Sequence, residues 1–398
     1  MKKLLALLLV AVMMFSFAAC GGNDADDSAA KDDFKIGIIC LHDENSTYDN
    51  NFIQAIYAAQ KELGLKDDQV LLKVNIGENE ACYNAAAELV DAGCKIIFAD
   101  SFGHETYMIQ AAKEFKNVEF CHATGTKALT EKLPNYHNAF ASIYEGRFLA
   151  GVAAGMKLNQ MITDGKITAD QAKIGYVGAF NYAEVVSGLT SFFLGVRYIC
   201  PSVTMKVQYT NSWFDIAKEK EAALNLINSG CVLISQHADS EGAPKACEEK
   251  GVPNVAYNIS TISMGPNTAI ISSKIDWTPY FKMIIENNKA GKEIPADFCG
   301  TIQTGSVALT ELNDKVAAPG TAEKIEEVKT KLINGELKVF DTKTFTKDGK
   351  ELTTYLADVV DNGDFQPETE AIENGAFTES SKRSAPYFDI KYIDGISE

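Results

Sequence analysis

Short apolar runs alternate with stretches of helical periodicity along most of the chain. The first apolar run covers residues 34–41 and is followed by a helical pattern at 51–64. Further strand-like runs cover 70–76, 95–99 and 118–123. The shorter runs are nearly continuous in Ile, Val and Phe, which is typical of strands buried on both faces of a sheet. This alternation predicts βαβ units and parallel sheets.

The same pattern restarts in the second part of the chain. Residues 173–178 echo 35–40 at an offset of 138 residues (173 minus 35), and 230–234 echo 93–97 at an offset of 137 (230 minus 93). Asn254-Val255 echoes Asn117-Val118 at the same offset of 137. Three echoes in one order at nearly one offset indicate two lobes of similar α/β design. The alternative is independent convergence on helix, glycine and strand.

We therefore predict two similar lobes, each with a mostly parallel sheet flanked by helices, and a cleft between them that closes by hinge motion. Ligands are expected outside the carboxyl ends of the strands. The predicted ranges are 34–142 with about 279–305 for lobe 1, 143–278 with about 306–335 for lobe 2, and 338–398 for a C-terminal extension.

The N-terminus has the parts of a secretory signal, with a charged start, a short apolar run and small residues before Cys20. The apolar run is too short to span a bilayer. We predict a signal peptide at 1–19, a lipid on Cys20, because Ala18-Ala19-Cys20 followed by two glycines resembles a bacterial lipobox, and an acidic tether at 20–33. Ordinary secretion is the alternative. The protein would then be lipid-anchored on the extracytoplasmic face of the cell membrane, since no later segment is long and apolar enough to span it.

Charge and cysteines narrow the possible functions. The chain has 37 basic and 54 acidic residues, a net charge of −17, or −19 once Lys2 and Lys3 leave with the signal. This charge argues against nucleic acid as a partner. Eight cysteines remain besides Cys20, with no paired spacing typical of zinc or redox motifs. We interpret them as buried small hydrophobes, although a disulfide stays open.

One segment carries a family resemblance. This segment is Tyr144-Glu145-Gly146-Arg147-Phe148-Leu149-Ala150-Gly151-Val152-Ala153-Ala154-Gly155. The lipobox, the acidic tether, the opening to Phe52 and Gln54, and Asn211-Ser212-Trp213-Phe214-Asp215 support it. With these features, the chain resembles the basic membrane protein (Bmp/PnrA-like) family. Its members are substrate-binding lipoproteins of ABC transporters. The resemblance covers roughly residues 34 to 335. It implies a type I periplasmic-binding-protein fold and, in the best-known branch, a purine nucleoside as the ligand.

The family's pocket is only partly preserved. Its stacking aromatics fall on Phe52 and Trp213. At the other pocket positions this chain differs from the family: Ile53 replaces an asparagine, His122 an aspartate, Asp239-Ser240 a glycine pair and Asn258 an aspartate. Lys274, close to Asp276, matches a lysine of the family. The resemblance thus implies stacking with an altered set of hydrogen-bonding groups, and a purine nucleoside is the leading expectation.

Polar and aromatic residues that follow the predicted strands supply the candidate ligand site, with ordinary loop or capping roles as the alternative for each. The predicted set is His42, Asp43, Tyr48, Asn51, Phe52, Asp100, Ser101, His122, Asn181, Trp213, His237, Asp239, Asn258, Lys274 and Asp276. Four histidines at strand ends make zinc binding an alternative, but their spacing in the sequence matches no known zinc-binding motif. We predict no metal, no cofactor and no catalytic residues, because nucleophile-elbow, P-loop and dinucleotide motifs are missing.

The leading hypothesis is a monomeric solute receptor that hands its small-molecule ligand to the permease subunits of an ABC importer. A nucleoside-processing enzyme acting in the same cleft is the first alternative, although the chain lacks a loop rich in aspartates that could hold calcium. A surface adhesion or antigenic lipoprotein without a small ligand is the second.

Overall fold

The computed structural model describes residues 34–362 and 365–398. The predicted signal peptide, the tether and Cys20 lie outside the described residues. Strands of the two large sheets are β1 (Ile36–Ile39), β2 (Val70–Lys73), β3 (Ile96–Ala99), β4 (Glu119–Ala123), β5 (Tyr136–Ala141), β6 (Lys173–Gly178), β7 (Thr204–Tyr209), β8 (Leu233–Gln236), β9 (Asn254–Tyr257), β10 (Ala269–Ile275), β11 (Asp297–Gly300) and β12 (Val307–Leu309).

Helices separate most of these strands, and short strands follow in the C-terminal extension. The helices are α1 (Thr47–Leu63), α2 (Glu80–Asp91), α3 (Glu105–Glu114), α4 (Ala128–Glu131), α5 (Ile143–Thr163), α6 (Ala183–Ile199), α7 (Ile216–Asn228), α8 (Gly242–Lys250), α9 (Thr278–Lys289) and α10 (Thr321–Ile333). The short strands are β13 (Leu356–Ala357), β14 (Thr369–Glu370), β15 (Ile372–Glu373), β16 (Ala376–Phe377) and β17 (Ile396–Ser397).

The two large sheets repeat one topology. The first has the order β11-β5-β4-β3-β1-β2 and the second β12-β10-β9-β8-β6-β7-β17. All neighbours pair in parallel except β10 with β12. Strand β1 lies between β2 and β3, as β6 lies between β7 and β8, so the order 5-4-3-1-2 recurs as 10-9-8-6-7. The prediction of two similar α/β lobes with mostly parallel sheets is confirmed, whereas the residue boundaries of the lobes stay a prediction.

The central strands are short and fully buried. All residues of β1, β3 and β8 are buried, although β1 has the sequence Ile-Gly-Ile-Ile and β8 Leu-Ile-Ser-Gln. Helices cover both faces of each sheet, so alternate residues of a strand meet apolar partners on either side. The loops at the carboxyl ends of these strands are therefore the parts free to contact a ligand.

Helix α5 carries the family-like segment and packs closely on α6. A Cβ atom added at Gly151 would lie 2.2 Å from the carbonyl oxygen of Phe192, and one added at Gly195 would lie 2.1 Å from that of Phe148. The two glycines therefore let the helix backbones touch, which a larger residue at either position would prevent. This packing holds α5 against α6 and so positions Arg147, which lies four residues before Gly151 in α5.

The chain crosses between the two sheets three times: after β5, after β10, and between β11 and β12. Backbone hydrogen bonds tie the crossings together, with Ser142 N donating to Gly300 O (2.8 Å) and Asp276 N donating to Ser306 O (2.7 Å). On the cleft side, Thr47 N donates to Asp239 O (2.8 Å). The two lobes thus touch directly across the cleft.

The C-terminal extension packs onto the second sheet and also contacts the first. Strand β17 adds to the second sheet beside β7, and Phe340, Phe377 and Phe388 join the main apolar core. Ser384 N donates to Asp297 Oδ2 of β11 (2.7 Å). The extension is therefore an integral part of the folded body and spans both lobes.

The eight cysteines among the described residues are free thiols, and all are buried except Cys299, which is half-buried. This agrees with their interpretation as small hydrophobes. Across residues 34–362 and 365–398, no helix combines the length and apolar character that a membrane span requires.

Candidate functional site

A cavity of about 450 Å³ lies between the carboxyl ends of the two sheets. Loops that leave β1, β3 and β4 line it from lobe 1, and loops that leave β6, β7 and β8 line it from lobe 2. The C-terminal extension supplies the remaining side. This size suits a small organic molecule, because ligand pockets of this kind span roughly 300–1,000 Å³.

Aromatic rings form much of the cavity surface. Trp213 meets Phe180 edge-on with 4.9 Å between ring centroids, and Phe180 in turn stacks on Tyr182 at 5.2 Å. Across the cleft, Phe102 lies 5.9 Å from Tyr182 although both side chains are nearly half exposed. Tyr48 and Tyr257 complete this surface. Such rings offer flat apolar faces on which a planar ligand can stack.

A buried arginine organises the polar side of lobe 2. Arg147, only 1% exposed, donates from Nη1 to Gln236 O (3.0 Å) and from Nη2 to His237 Nδ1 (2.9 Å), and its guanidinium lies 3.3 Å from the Tyr257 ring centroid. With Nδ1 accepting, His237 carries its proton on Nε2 and donates it to Glu184 Oε2 at 2.9 Å. The chain of contacts thus fixes the Glu184 carboxylate at the cavity wall.

Burial sets the protonation of these groups. Burial lowers the pKa of His237, and the Arg147 charge lowers it further, while Glu184 acts in the opposite direction. Asp239 accepts from Asn258 Nδ2 (3.0 Å), and burial followed by the charge of Glu219 raises the pKa of its carboxyl well above the ordinary range. Lobe 2 therefore presents a neutral histidine and an acid that holds its proton unusually tightly.

Lobe 1 places its carboxyl groups deeper. Asp100 is fully buried and accepts from Leu41 N (3.1 Å), and burial followed by the charge of Asp49 raises its pKa well above the ordinary range. Burial would also raise the pKa of Asp49, but hydrogen bonds from His42 and Ser46 outweigh it and lower the pKa. Asp49 reaches the cavity wall and Asp100 does not.

One buried group has the composition of a metal site. Cys40, Asp49 and Asp100 offer ligand atoms within 4.8 Å of one another. Burial, followed by the charge of Asp100, raises the pKa of the Cys40 thiol well above its ordinary value, which disfavours the thiolate that a metal binds. Asp49 is already engaged by His42 N (2.8 Å) and by the Ser46 hydroxyl (2.5 Å). These contacts account for the cluster as a buried hydrogen-bonded group without a cation.

About half of the predicted site residues meet at the cavity. Those that line it are His42, Tyr48, Ser101, Asn181, Trp213, His237 and Asp239. Three more lie directly behind this surface: Asp100 accepts from Leu41 N, Asn258 donates to Asp239, and His122 Nε2 contacts Ser101 O at 2.7 Å. Their role in binding stays a prediction.

The structure places the other five elsewhere. Phe52 is fully buried in the lobe 1 core, where its ring stacks on Trp277 at 4.5 Å. Asn51 Nδ2 donates to Ile275 O at the second crossing (2.7 Å). Asp43 accepts from Asn45 within its own loop. Lys274 and Asp276 lie 3.8 Å apart in a separate surface groove between α1 and α9.

Several lining residues were not in the predicted set. Asp49 and Glu184 come from the first turns of α1 and α6, and Arg147, behind them, comes from the family-like segment. Charged residues at helix starts after strands are a usable signal, because they reach the same edge as the strand ends. The extension residues carried no such signal: Asp358, Asp361, Phe365, Arg383, Ala385, Pro386, Tyr387, Asp389 and Lys391.

Two repeated parallel sheets, three crossings and a cavity between their carboxyl ends define the type I periplasmic-binding-protein class. Solved solute-binding proteins of ABC transporters from Conexibacter woesei and Aeropyrum pernix share this fold, with TM-scores of 0.62 and 0.63 at 19% and 16% identity. Both matches cover 77% of this chain, and they cover 98% and 93% of the other chains, respectively. These likenesses show the fold alone.

The family follows from the sequence match. The model for PnrA-like substrate-binding proteins of ABC transporters (Bmp) matches residues 38–343, so the chain belongs to this family. A purine-binding protein of Brucella abortus is 30% identical, with 81% of this chain and 87% of the relative covered. A nucleoside-binding protein of Lactococcus lactis is 24% identical over 63% and 69%. A putative glucose-binding protein of Haloferax volcanii is 32% identical over 64% and 61%.

The chain is therefore a substrate-binding protein of an ABC transporter, and the predicted family resemblance is confirmed. The three relatives described above are all named as binding proteins.

Proposed function

We propose that the protein captures a small, planar, uncharged solute in the cavity between its lobes, with a purine nucleoside as the leading candidate. The observation that carries this proposal is the pairing of aromatic faces, at Trp213 and Tyr182, with the carboxyl groups of Glu184 and Asp239 on one cavity wall. Stacking a base on an aromatic side chain contributes roughly 1–3 kcal/mol. A carboxylate accepts hydrogen bonds from the amino groups of a base and the hydroxyls of a ribose, and an acid that keeps its proton, as Asp239 does, can also donate one.

The charge of the cavity favours a nucleoside over a nucleotide. Four acidic residues, Asp49, Glu184, Asp361 and Asp389, line it, against the two cationic side chains of Arg383 and Lys391. Two further acids line it, Asp239 and Asp358, but burial raises the pKa of each, so they add less negative charge. The guanidinium of Arg383 already donates to the carbonyl oxygens of Val359, Ala385 and Pro386. A phosphate would therefore meet more negative than positive charge, which opposes its entry.

A sugar is the second candidate. Relatives at similar identity are named for purine, nucleoside and glucose binding. Carboxylate oxygens are also suitable acceptors for sugar hydroxyls, and aromatic faces can pack on the apolar face of a sugar ring. The aromatic surface built by Phe102, Tyr182 and Trp213 favours the planar base, because a flat ring system fills such a surface more completely.

Calorimetric titration of the purified body, residues 34–398, with adenosine, guanosine, inosine, glucose and guanosine monophosphate tests this ranking. We expect at least one nucleoside to bind, with glucose weaker and the monophosphate weakest. At a ligand concentration of 100 Kd the folded state should gain about 2.7 kcal/mol, which a thermal-shift assay detects. Binding of glucose alone would replace the leading candidate with the second, and binding of none would refute both.

We also propose that the protein is held by a lipid on Cys20 at the outer face of the cell membrane and passes its ligand to permease subunits. The supporting observation is the signal-like N-terminus ending in Ala18-Ala19-Cys20. Cys20→Ser should move the protein from the membrane to the soluble fraction, since a hydroxyl cannot take a thioether-linked lipid. Retention of this variant in the membrane after a high-salt wash would contradict the anchor.

A transport receptor and an enzyme differ in whether the bound nucleoside is left intact or cleaved. A nucleoside-processing enzyme would release free base from a bound nucleoside. Incubation of the protein with each bound nucleoside should therefore return the nucleoside unchanged by chromatography. If the wild type releases free base and Glu184→Gln does not, the cavity catalyses cleavage and the enzyme alternative is correct.

A further inference from the structure

One segment of the C-terminal extension faces the cavity with alternate residues. Ala385 and Pro386 both line the cavity. From Tyr387 onward the lining residues Tyr387, Asp389 and Lys391 alternate with Phe388 and Ile390, which are buried in the core at 0% and 3% exposure. A spacing of two is the geometry of extended backbone, in which successive side chains point to opposite sides. Residues 387–391 therefore form an apolar seam on one side and a cavity surface on the other.

The seam is anchored to lobe 2. The ring of Phe388 stacks on Phe340 with 4.2 Å between centroids, and Phe340 packs on Tyr144 of α5 at 5.3 Å. On either side of this stack, Arg197 of α6 donates to the carbonyl oxygens of Thr344 (2.6 Å) and Asp394 (3.0 Å). Strand β17 then continues the second sheet. The extension is therefore packed and hydrogen-bonded to lobe 2 as part of the same folded unit.

Two residues of lobe 1, Thr126 and Asp297, form hydrogen bonds with the extension. Thr126 Oγ1 donates to Asp361 Oδ2 at 2.6 Å, and Ser384 N donates to Asp297 Oδ2 at 2.7 Å. Thr126 follows β4 and lines the cavity, so the first contact lies at the cavity rim. Lobe 1, lobe 2 and the extension thus enclose the cavity from three sides.

We propose that the C-terminal extension forms a third wall of the ligand site and contributes Asp389 and Lys391 to binding. This rests on the proposed capture of a small solute in the cavity. Asp389 accepts from the Tyr355 hydroxyl through Oδ1 (2.7 Å), which leaves its second oxygen for a ligand. Within the described part of the chain, no carboxylate forms an ion pair with Lys391. An acceptor and a three-fold donor two residues apart suit a solute that carries both kinds of group.

The wall would make this protein's selectivity differ from that of its relatives. The family match ends at residue 343, before all of the extension residues that line the cavity. Relatives that share only the matched region would recognise their ligands with the two lobes. In this chain the extension adds contacts to the same ligand, so Asp389 and Lys391 determine specificity beyond what the family site provides.

Charge-neutral variants test the contacts directly. Asp389→Asn and Lys391→Met are titrated by calorimetry with guanosine and with glucose. Glu373→Gln and Lys382→Met are matched controls, because this exposed pair lies in the extension away from the cavity. We expect about 10-fold weaker binding for each cavity variant, the order of a hydrogen bond to a charged group, and less than about 2-fold for the controls. Unchanged affinity in both cavity variants would overturn the proposal.

A ligand-free measurement keeps the wall testable if neither probe binds. Trp213 lines the cavity and Trp277 is 2% exposed, so acrylamide quenching of the intrinsic fluorescence reports access to Trp213. Thr126→Val combined with Asp297→Ala removes the hydrogen bonds that Thr126 and Asp297 form with the extension. Quenching should rise in this variant, and in Thr126→Val alone if the double variant loses thermal stability, while Lys382→Met should match wild type.

The two measurements separate the two proposals. Failure of guanosine and glucose to bind wild type, with quenching raised in the Thr126→Val and Asp297→Ala variant, would refute the proposed ligand class and retain the wall. Unchanged quenching in that case would refute the wall as well.

Discussion

The two lobes share a topology but use their aromatic and polar residues differently. Phe52 in lobe 1 and Trp213 in lobe 2 were both predicted to stack on a ligand. Phe52 is fully buried against Trp277 and Phe98, whereas Trp213 is half-buried and lines the cavity. Phe52 lies on the face of α1 that packs toward the sheet, and Trp213 lies in the loop after β7. Lobe 2 thus supplies the aromatic surface, with Phe102 its counterpart from lobe 1.

The polar residues show the same difference. Asp100 follows β3 of lobe 1, and His237 and Asp239 follow the equivalent β8 of lobe 2. Asp100 turns inward beside Asp49, while His237 and Asp239 face the cavity. Both lobes contain an acid whose pKa is raised by burial, Asp100 in lobe 1 and Asp239 in lobe 2. Lobe 2 also places the buried cation of Arg147 beside its acids, whereas Asp49 of lobe 1 is stabilised by hydrogen bonds from His42 and Ser46. Equivalent strand ends therefore fix where a residue lies along the sheet but not which way its side chain turns.

The largest expected effect is in the core of lobe 1. Phe52→Ala should lower the free energy of unfolding by about 3–5 kcal/mol, because it removes a buried ring that stacks on Trp277. Urea unfolding followed by circular dichroism measures this loss. A loss below about 1 kcal/mol, together with weaker binding of guanosine, would return Phe52 to the ligand site.

Arg147→Met should be the most damaging polar change in lobe 2. It removes the hydrogen bonds to Gln236 O and His237 Nδ1, and we expect a loss of about 1.5–3 kcal/mol in unfolding free energy. Because the Arg147 charge lowers the pKa of His237, the variant should also show a higher pKa for this histidine in an NMR titration. An unchanged histidine pKa would show that the two groups are not coupled.

Trp213→Ala should weaken binding more than stability. Loss of stacking worth roughly 1–3 kcal/mol corresponds to about 5- to 150-fold weaker binding of the nucleoside that binds wild type. Trp277→Phe is the matched control, because Trp277 is buried against Phe52 and Phe98 of lobe 1. This variant should keep both the affinity and most of the ligand-dependent fluorescence change. If Trp213→Ala instead lowers the melting temperature severely and binds normally, Trp213 is a core residue like Phe52.

The smallest effect concerns the buried acid of lobe 1. The pKa of Asp100 is raised above its ordinary 3.8, so its contribution to stability is fully present below about pH 4 and is lost as the pH rises through the native pKa. Asp100→Asn lacks this loss, and its stability relative to wild type should increase with pH above about 4, by at most about 1.4 kcal/mol per pH unit. Unfolding by urea at several pH values measures the slope.

Asp43→Asn is the control for this slope. Hydrogen bonds from Asn45 lower the pKa of Asp43, so its contribution is present above the ordinary pKa and lost as the pH falls through the native pKa. The control should therefore show no rise in relative stability above pH 5. A flat difference in Asp100→Asn as well would mean that Asp100 is not held protonated.

The pattern of the chain was enough to predict the elements and the general place of the site. Buried runs such as 96–99 and 233–236 read as strands because both faces of each sheet are covered, and the repeat of glycine, strand and helix predicted the second lobe. Residues in loops that leave the strands, including His42, Ser101 and His237, were found at the cavity because parallel strands end at one edge. The position of a residue along a strand is a local property.

The direction in which each side chain points does not depend on its neighbours in the sequence alone. Phe52 and Trp213 differ in role because one helix face packs on a sheet and one loop does not, and nothing in their neighbouring residues records this. Lys274 near the end of β10 and Asp276 just before α9 were likewise predicted at the site, but both line the groove between α1 and α9.

The sequence by itself determined that this chain forms two α/β lobes with mostly parallel sheets and with polar and aromatic loops at one edge of each sheet. The reason is that strand burial and helical periodicity depend on the residues within short segments. Only the tertiary structure decided that residues 385–391 line the cavity with Tyr387, Asp389 and Lys391. Their position depends on Phe388 packing on Phe340 and on the contacts with Thr126 and Asp297, which bring together residues far apart in the chain. Contacts of that range arise from the packing of the whole body and leave no periodic trace in the segment itself.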